Sequence, residues 1–117
     1  MIQDKAQELG RMIGQTEEYK AVMRATEAIN GDEEAVALRD SIEALRQRAQ
    51  QVLSNGEEPT AGMEEELNEL LAKMQANASY QKLIVAEENL DKVMRRVNEW
   101  ISDGIAKGSR SPIITLG

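Results

Sequence analysis

Apolar residues recur along most of this chain at alternating spacings of three and four, which is the period of an amphipathic α-helix. The most regular run predicts a helix over residues 32–54, with one face formed by Ala35, Leu38, Ile42, Leu45, Ala49 and Val52. A longer stripe predicts a helical stem from Met63 to Gly104. The pattern therefore predicts an all-α protein whose centre is an antiparallel hairpin of these two helices.

Two short helices are predicted before the hairpin, over residues 2–13 and 16–29. Thr16 and Asp32 are the predicted N-caps of the second and third helices, because each is followed by two glutamates that favour a helix N-terminus. An Asn-Gly dipeptide follows each of these helices and predicts its end. Residues 55–62 hold the breakers expected of the hairpin turn.

The continuity of the stem is left open by the sequence. Asn77, Ala78 and Ser79 form the point where the stripe changes phase, and Asn and Ser are weak helix formers. Asn77 either marks a break there or sets the register of a dimer through a buried amide pair. One domain is predicted over 1–107, followed by an extended or flexible tail over 108–117. The apolar end of this tail either frays or docks on a partner.

The helix at 32–54 is too short to cover the whole stem, so the two N-terminal helices are predicted to pack on its second half. This intrachain core comprises Leu9, Ile13, Tyr19, Val22, Leu90, Val93, Val97 and Trp100. The hairpin end keeps one open apolar seam, which a second copy or a related chain would close into a dimeric bundle. The predicted dimer seam comprises Leu38, Ile42, Leu45, Val52, Met63, Leu67, Leu70 and Met74.

Composition removes several classes of function. The net charge of −7 argues against direct nucleic-acid binding, which depends on clustered Lys and Arg. The chain has no cysteine and no histidine, so no cofactor, no metal site and no catalytic residue is predicted. Apolar runs stay well below the ~18 residues that a membrane span needs, and the start lacks the features of a signal peptide. We therefore expect a cytoplasmic protein.

Three features have a second interpretation. Trp100 is a predicted core residue, but tryptophan is also enriched at binding hot spots. Lys92, Arg95 and Arg96 form a possible partner patch that would recognise an acidic surface. A carboxylate-only metal-binding protein or hydrolase is the alternative function, and its candidate ligands are Glu65, Glu69, Glu87 and Glu88. Favourable charge at helix starts and a solvated face explain such glutamates more simply.

Several motifs resemble the YlbF/YmcA family of small bacterial helical proteins over most of residues 2–105. They are Asp4-Lys-Ala-Gln-Glu-Leu-Gly10, Ile13, Thr16-Glu-Glu-Tyr19, Asp32-Glu-Glu-Ala-Val-Ala-Leu38, Ala86-Glu-Glu-Asn-Leu90, Val97 and Ile101. The resemblance implies an all-α, dimer-forming protein. In some firmicutes, family members act in a multi-protein complex that modulates ribonuclease Y and mRNA processing.

One property of the family is not carried over to this chain. Complex-forming members are associated with iron–sulfur clusters held by cysteines, and this sequence has no cysteine to supply such a ligand. The predicted function is therefore that of a non-enzymatic regulatory protein that self-associates and recruits protein partners.

Overall fold

The structure is a computed structural model that describes residues 1–110. These residues form five α-helices: α1 Ile2–Gly14, α2 Glu17–Asn30, α3 Glu33–Ser54, α4 Ala61–Ala76 and α5 Ala78–Arg110. The predicted all-α class is confirmed. The dimeric bundle stays a prediction. Residues 111–117, which contain the apolar end of the predicted tail, lie outside the described part of the chain.

The predicted N-caps are confirmed by hydrogen bonds. The Thr16 hydroxyl accepts from the Tyr19 backbone N–H at 3.1 Å, and the Asp32 carboxylate accepts from that of Ala35 at 3.1 Å. A further cap was missed: Thr60 accepts from the Met63 N–H at 3.2 Å. This cap makes α4 begin at Ala61, two residues before the predicted start of the stem.

The predicted stem is broken at Asn77, so of the two alternatives for this residue, a helix break or a register-setting amide pair, the structure shows the break. Helix α4 ends at Ala76, and Asn77 has an extended backbone with φ −73° and ψ 126°. Helix α5 starts directly afterwards and runs for 33 residues. It continues through Gly104 and Gly108 to Arg110, three residues into the segment predicted as a tail.

The five helices form two parts that meet end to end. Helix α5 packs along α2 with α1 beside them, and we call these three helices the base. Helices α3 and α4 pack on each other as an antiparallel pair, which we call the hairpin arm. The molecule measures 70 × 37 × 20 Å, and its radius of gyration is 21.8 Å, whereas a compact chain of this length would give about 13 Å. It is therefore elongated, with little core for its size.

The arm has its own small core, which contains half of the residues predicted for the dimer seam, and the seam itself stays a prediction. Leu38, Ile42, Leu45 and Met74 are all buried within one chain. The other four predicted seam residues, Val52, Met63, Leu67 and Leu70, are half-buried. Helices α3 and α4 cover each other's apolar faces, and Leu71 and Tyr80 pack against the side of this core. The buried seam residues are thus used inside the chain.

The predicted intrachain core of the base is only partly covered. Val97 is buried, and the half-buried members are Leu9, Ile13, Val22, Leu90 and Val93. Tyr19 and Trp100 differ from the prediction, because 38% and 65% of these residues remain exposed. Trp100 lies at the edge of a groove between α1 and α5, since α1 packs beside it and does not cover it.

Candidate interaction surfaces

Large apolar side chains remain exposed at the end of the base that lies farthest from the arm. Trp100, Ile101 and Ile105 of α5 are 65%, 45% and 67% exposed, and Met12 of α1 is 61% exposed. We call these four residues the C-terminal apolar surface. Ile101 and Ile105 lie one helical turn apart, and Met12 and Trp100 border the same groove. Large apolar side chains that stay exposed together at one end of a molecule are typical of an interaction site.

The groove beside this surface has a volume of about 280 Å³. Its lining is mainly apolar and comes from α1 and α5: Leu9, Met12, Ile13, Val93, Val97 and Trp100. The Thr16 hydroxyl at its end is already satisfied, because it donates to the carbonyl oxygen of Ile13 at 2.7 Å. The groove therefore offers mostly apolar contacts to a partner.

The predicted basic patch does not form one cluster. Arg95 is ion-paired with Asp91 on the outer side of α5, next to Glu99 and Asp103. Arg96 instead borders the groove between α1 and α5, and Lys92 is exposed. Successive residues on an α-helix point about 100° apart, so the neighbours Arg95 and Arg96 face different surroundings. Of the three, Arg96 is the one at the apolar groove between α1 and α5.

The acidic residues are also dispersed. Within residues 1–110, no three carboxylates come close enough to hold a metal ion. Glu65, Glu69, Glu87 and Glu88 are all exposed, the first two on the arm and the others on the base. The arrangement gives no support to the carboxylate-only alternative. Every helix in the described part of the chain is too polar or too short to serve as a membrane span.

A polar contact joins the arm to the base. The Asn77 side-chain amide donates to the Asp32 carboxylate at 3.2 Å, while the Asn77 carbonyl oxygen accepts from the Tyr80 backbone N–H at 2.9 Å. Asp32 caps α3, and Asn77 caps α5 in the same way. We call this pair the joint. Because Asn77 bonds within its own chain, an amide pair across a dimer is not needed to explain its burial.

The joint changes the acidity of Asp32. The Ala35 backbone N–H lowers the pKa of this carboxyl below its usual value of 3.8, and the side chains of Asn77 and Ser79 lower it further. These donors bind the charged form more strongly than the protonated form. The sequence predicts that Asp32 is a cap, but no local signal in it points to the partner Asn77, which lies 45 residues away in the chain.

This pKa shift predicts a dependence of stability on pH. The folded state binds the Asp32 proton less tightly than the unfolded state, so the stabilisation is complete above about pH 3.8 and is lost as the pH falls through the lower folded pKa. Asp32→Asn keeps a capping side chain but removes the charge. We expect the difference in free energy of unfolding between wild type and D32N to shrink between pH 5 and pH 3. Urea unfolding followed by circular dichroism measures it.

Asp40→Asn serves as the matched control, because Asp40 is an exposed residue on the same helix. If the difference in free energy of unfolding between wild type and D32N stays constant from pH 7 to pH 3, the charge of Asp32 contributes nothing to stability. A decrease of the same size for D40N would assign the effect to net charge and not to the joint.

Comparison with known proteins agrees with this architecture. Residues 2–106 match the family model described as control of competence regulator ComK, YlbF/YmcA. The chain belongs to the YlbF/YmcA family. The resemblance noted from the sequence motifs is thereby confirmed, and the family description is that of a regulator.

Among curated relatives, this YlbF/YmcA protein is similar to proteins named UPF0342. One from Streptococcus gordonii is 36% identical over 89 residues, which cover 76% of this chain and 80% of the relative. Another from Leuconostoc citreum is 29% identical over 105 residues, covering 90% and 89%. The similarity thus extends over most of both chains.

Two solved structures share the fold. A chain in the crystal structure of Bacillus subtilis RicA in complex with RicF superposes with a TM-score of 0.79 at 21% identity, covering 91% of this chain and 94% of that chain. A Bacillus stearothermophilus protein of unknown function (DUF964) gives a TM-score of 0.65 at 19% identity, with coverage of 94% and 96%. At this identity the likeness shows the fold alone.

Proposed function

We propose that this YlbF/YmcA protein is a non-enzymatic regulatory protein that acts by binding other protein chains through its C-terminal apolar surface. The observation that carries the proposal is the exposure of Trp100, Ile101, Ile105 and Met12 at one end of the base. Tryptophan is enriched at binding hot spots, and an isoleucine pair one turn apart is exposed at the same end of α5. This favours the second interpretation of Trp100.

Energy supports a binding role for these side chains. Full burial of a large apolar side chain contributes ~1.5–3 kcal/mol, so four such residues can offset a substantial part of the ordering that association requires. The buried core of a single chain is small and does not include these four side chains, so a partner chain is what would bury them. Another protein chain is the partner whose surface matches an apolar groove between two helices.

The partner is a second copy of this protein or a related helical chain. Two observations support this choice: the elongated shape, and the shared fold with a protein that was crystallised in complex with another chain. We also propose that this protein modulates mRNA processing through ribonuclease Y, as the family resemblance implies. The lack of histidine and cysteine favours a role without catalysis.

The double variant Trp100→Ser/Ile105→Ser tests the proposal. Tagged wild-type protein, expressed in the bacterium that encodes it, is expected to capture a second YlbF/YmcA chain or ribonuclease Y, identified by mass spectrometry. The double variant is expected to retain less than about a tenth of that capture, because it removes the two most exposed side chains of the C-terminal apolar surface.

Met23→Ser is the matched control, since Met23 is 48% exposed on α2 and lies outside the C-terminal apolar surface. Capture by the control should equal that of wild type. Equal capture by wild type and the W100S/I105S variant, or capture of neither a family member nor ribonuclease Y, would overturn the proposal. Circular dichroism confirms that each variant is folded.

A further inference from the structure

A second groove lies nearer the joint, between α2 and α5, on the same flank of α5 as the cavity beside Trp100. It has a volume of about 620 Å³ and is lined mainly by apolar groups, including Val85, which is 56% exposed. Lys82 borders this groove, and Arg96 borders the cavity beside Trp100. The two cations are about four helical turns apart and hence on the same flank of α5. We call the groove between α2 and α5 the flank groove.

The cations of the flank groove and Arg96 form no ion pair with an acidic residue in the part of the chain that the structure describes. In the described residues the ion pairs are Lys5–Glu8, Lys20–Glu17, Arg48–Glu66 and Arg95–Asp91. Arg24 and Lys82, on the two walls of the groove, and Arg96 belong to none of them. Acidic residues outnumber basic ones by 21 to 14 in this chain, yet they do not neutralise this groove. The flank groove is thus a basic, apolar channel on an acidic protein.

An exposed face of α4 has the complementary chemistry. Glu65 and Glu69 lie one turn apart on this face, and Ala72 follows on the same side. All three are exposed, and neither glutamate is in an ion pair within the described residues. The small side chain beside the two carboxylates allows the helix to approach another helix closely.

These two surfaces belong to different parts of the same molecule. The glutamates lie on the arm, whereas the flank groove lies on the base, beyond the joint. Within the described residues, neither glutamate is ion-paired with Arg24 or Lys82 of its own chain, so both charged surfaces are available to a second chain. We propose that the flank groove binds the Glu65/Glu69 face of α4 from a second copy of this protein.

The contact is reciprocal in a two-fold dimer, because each chain then supplies one groove and one acidic face. Arg24 and Lys82 approach the glutamates from the two walls, and Val85 packs against the small side chain of Ala72 beside them. Complementary charge of this kind fixes the register of two helices and accelerates encounter. The inference rests on the proposed function in its choice of a second copy, but it uses different side chains from Trp100 and Ile105.

Charge exchange tests the inference. The variants Arg24→Glu/Lys82→Glu and Glu65→Lys/Glu69→Lys each place like charges against one another, so each alone is expected to self-associate at least tenfold more weakly than wild type. An equimolar mixture of the two restores opposite charges at both contacts. We expect it to recover wild-type dimerisation. Sedimentation velocity between 1 and 100 μM measures all three, and raising NaCl from 50 to 500 mM should weaken the wild-type dimer.

Arg11→Glu/Arg46→Glu is the control, because it makes the same change in net charge at two exposed residues that do not line the groove. It should dimerise like wild type. Wild-type protein that stays monomeric at 100 μM, a mixture that does not recover, or a control that weakens as much as R24E/K82E would each overturn the inference. None of these results touches the capture that depends on Trp100, so the two proposals fail separately.

Discussion

Replacing Leu45 by alanine is expected to lower the free energy of unfolding by about 3 kcal/mol. Leu45 is only 2% exposed and is the most completely covered large side chain among the described residues. Truncation leaves a cavity beside α3, and because few residues of this protein are buried, few neighbours can move in to fill it. Urea unfolding of wild type and L45A, followed by circular dichroism at 222 nm, measures the difference.

Leu53→Ala is the matched control, because it removes the same atoms from the same helix at a position that is 55% exposed. Its effect should stay below ~1 kcal/mol. The concentration dependence decides between an intrachain core and a dimer seam for Leu45. A loss that is the same at 2 and 100 μM fits burial within one chain, whereas a loss that appears only at the higher concentration would contradict it.

Asn77→Ala should destabilise the protein by about 2 kcal/mol. The substitution removes the cap on the Tyr80 N–H, which contributes ~1 kcal/mol, and it removes the amide that donates to Asp32. The site is 7% exposed, so water replaces these bonds poorly. Urea unfolding at pH 7 provides the measurement.

Asn77→Ser separates the two contributions. Serine is also a good N-cap, but its side chain is too short to donate to the carboxylate of Asp32. We expect a loss about half that of N77A. A serine variant as stable as wild type would show that the bond to Asp32 contributes nothing, and one as unstable as N77A would show the same for the cap.

The elements that were predicted correctly depend on local signals. Thr16 and Asp32 start helices because their own side chains bond to backbone groups three residues later, so a short window of sequence contains the whole cause. The change of phase in the apolar stripe indicates a break at Asn77, but it does not indicate what stabilises the break. The hydrogen-bond partner of Asn77 is Asp32 at the start of α3, 45 residues earlier in the chain, and no local pattern connects the two residues.

The candidate site was harder to predict, because an apolar period indicates that a side chain is covered but does not indicate by what. Leu45 and Trp100 both continue regular stripes. Leu45 is buried on α3, which packs on the other helix of its own arm, whereas Trp100 borders an open groove. The difference depends on how far each neighbouring helix reaches, and this is set by the packing of whole elements.

The order of the helices also affects how the chain can fold. Helices α2 and α5 are neighbours in space, yet residues 31–77 separate them in sequence. Bringing the ends of an unstructured loop of that length together costs ~3 kcal/mol more free energy than closing a tight turn, because more chain entropy is lost. Once α3 and α4 have paired, the start of α3 at Asp32 and the end of α4 at Asn77 already lie together. The arm thus acts as a pre-formed closure that brings the two long halves of the base into reach of each other.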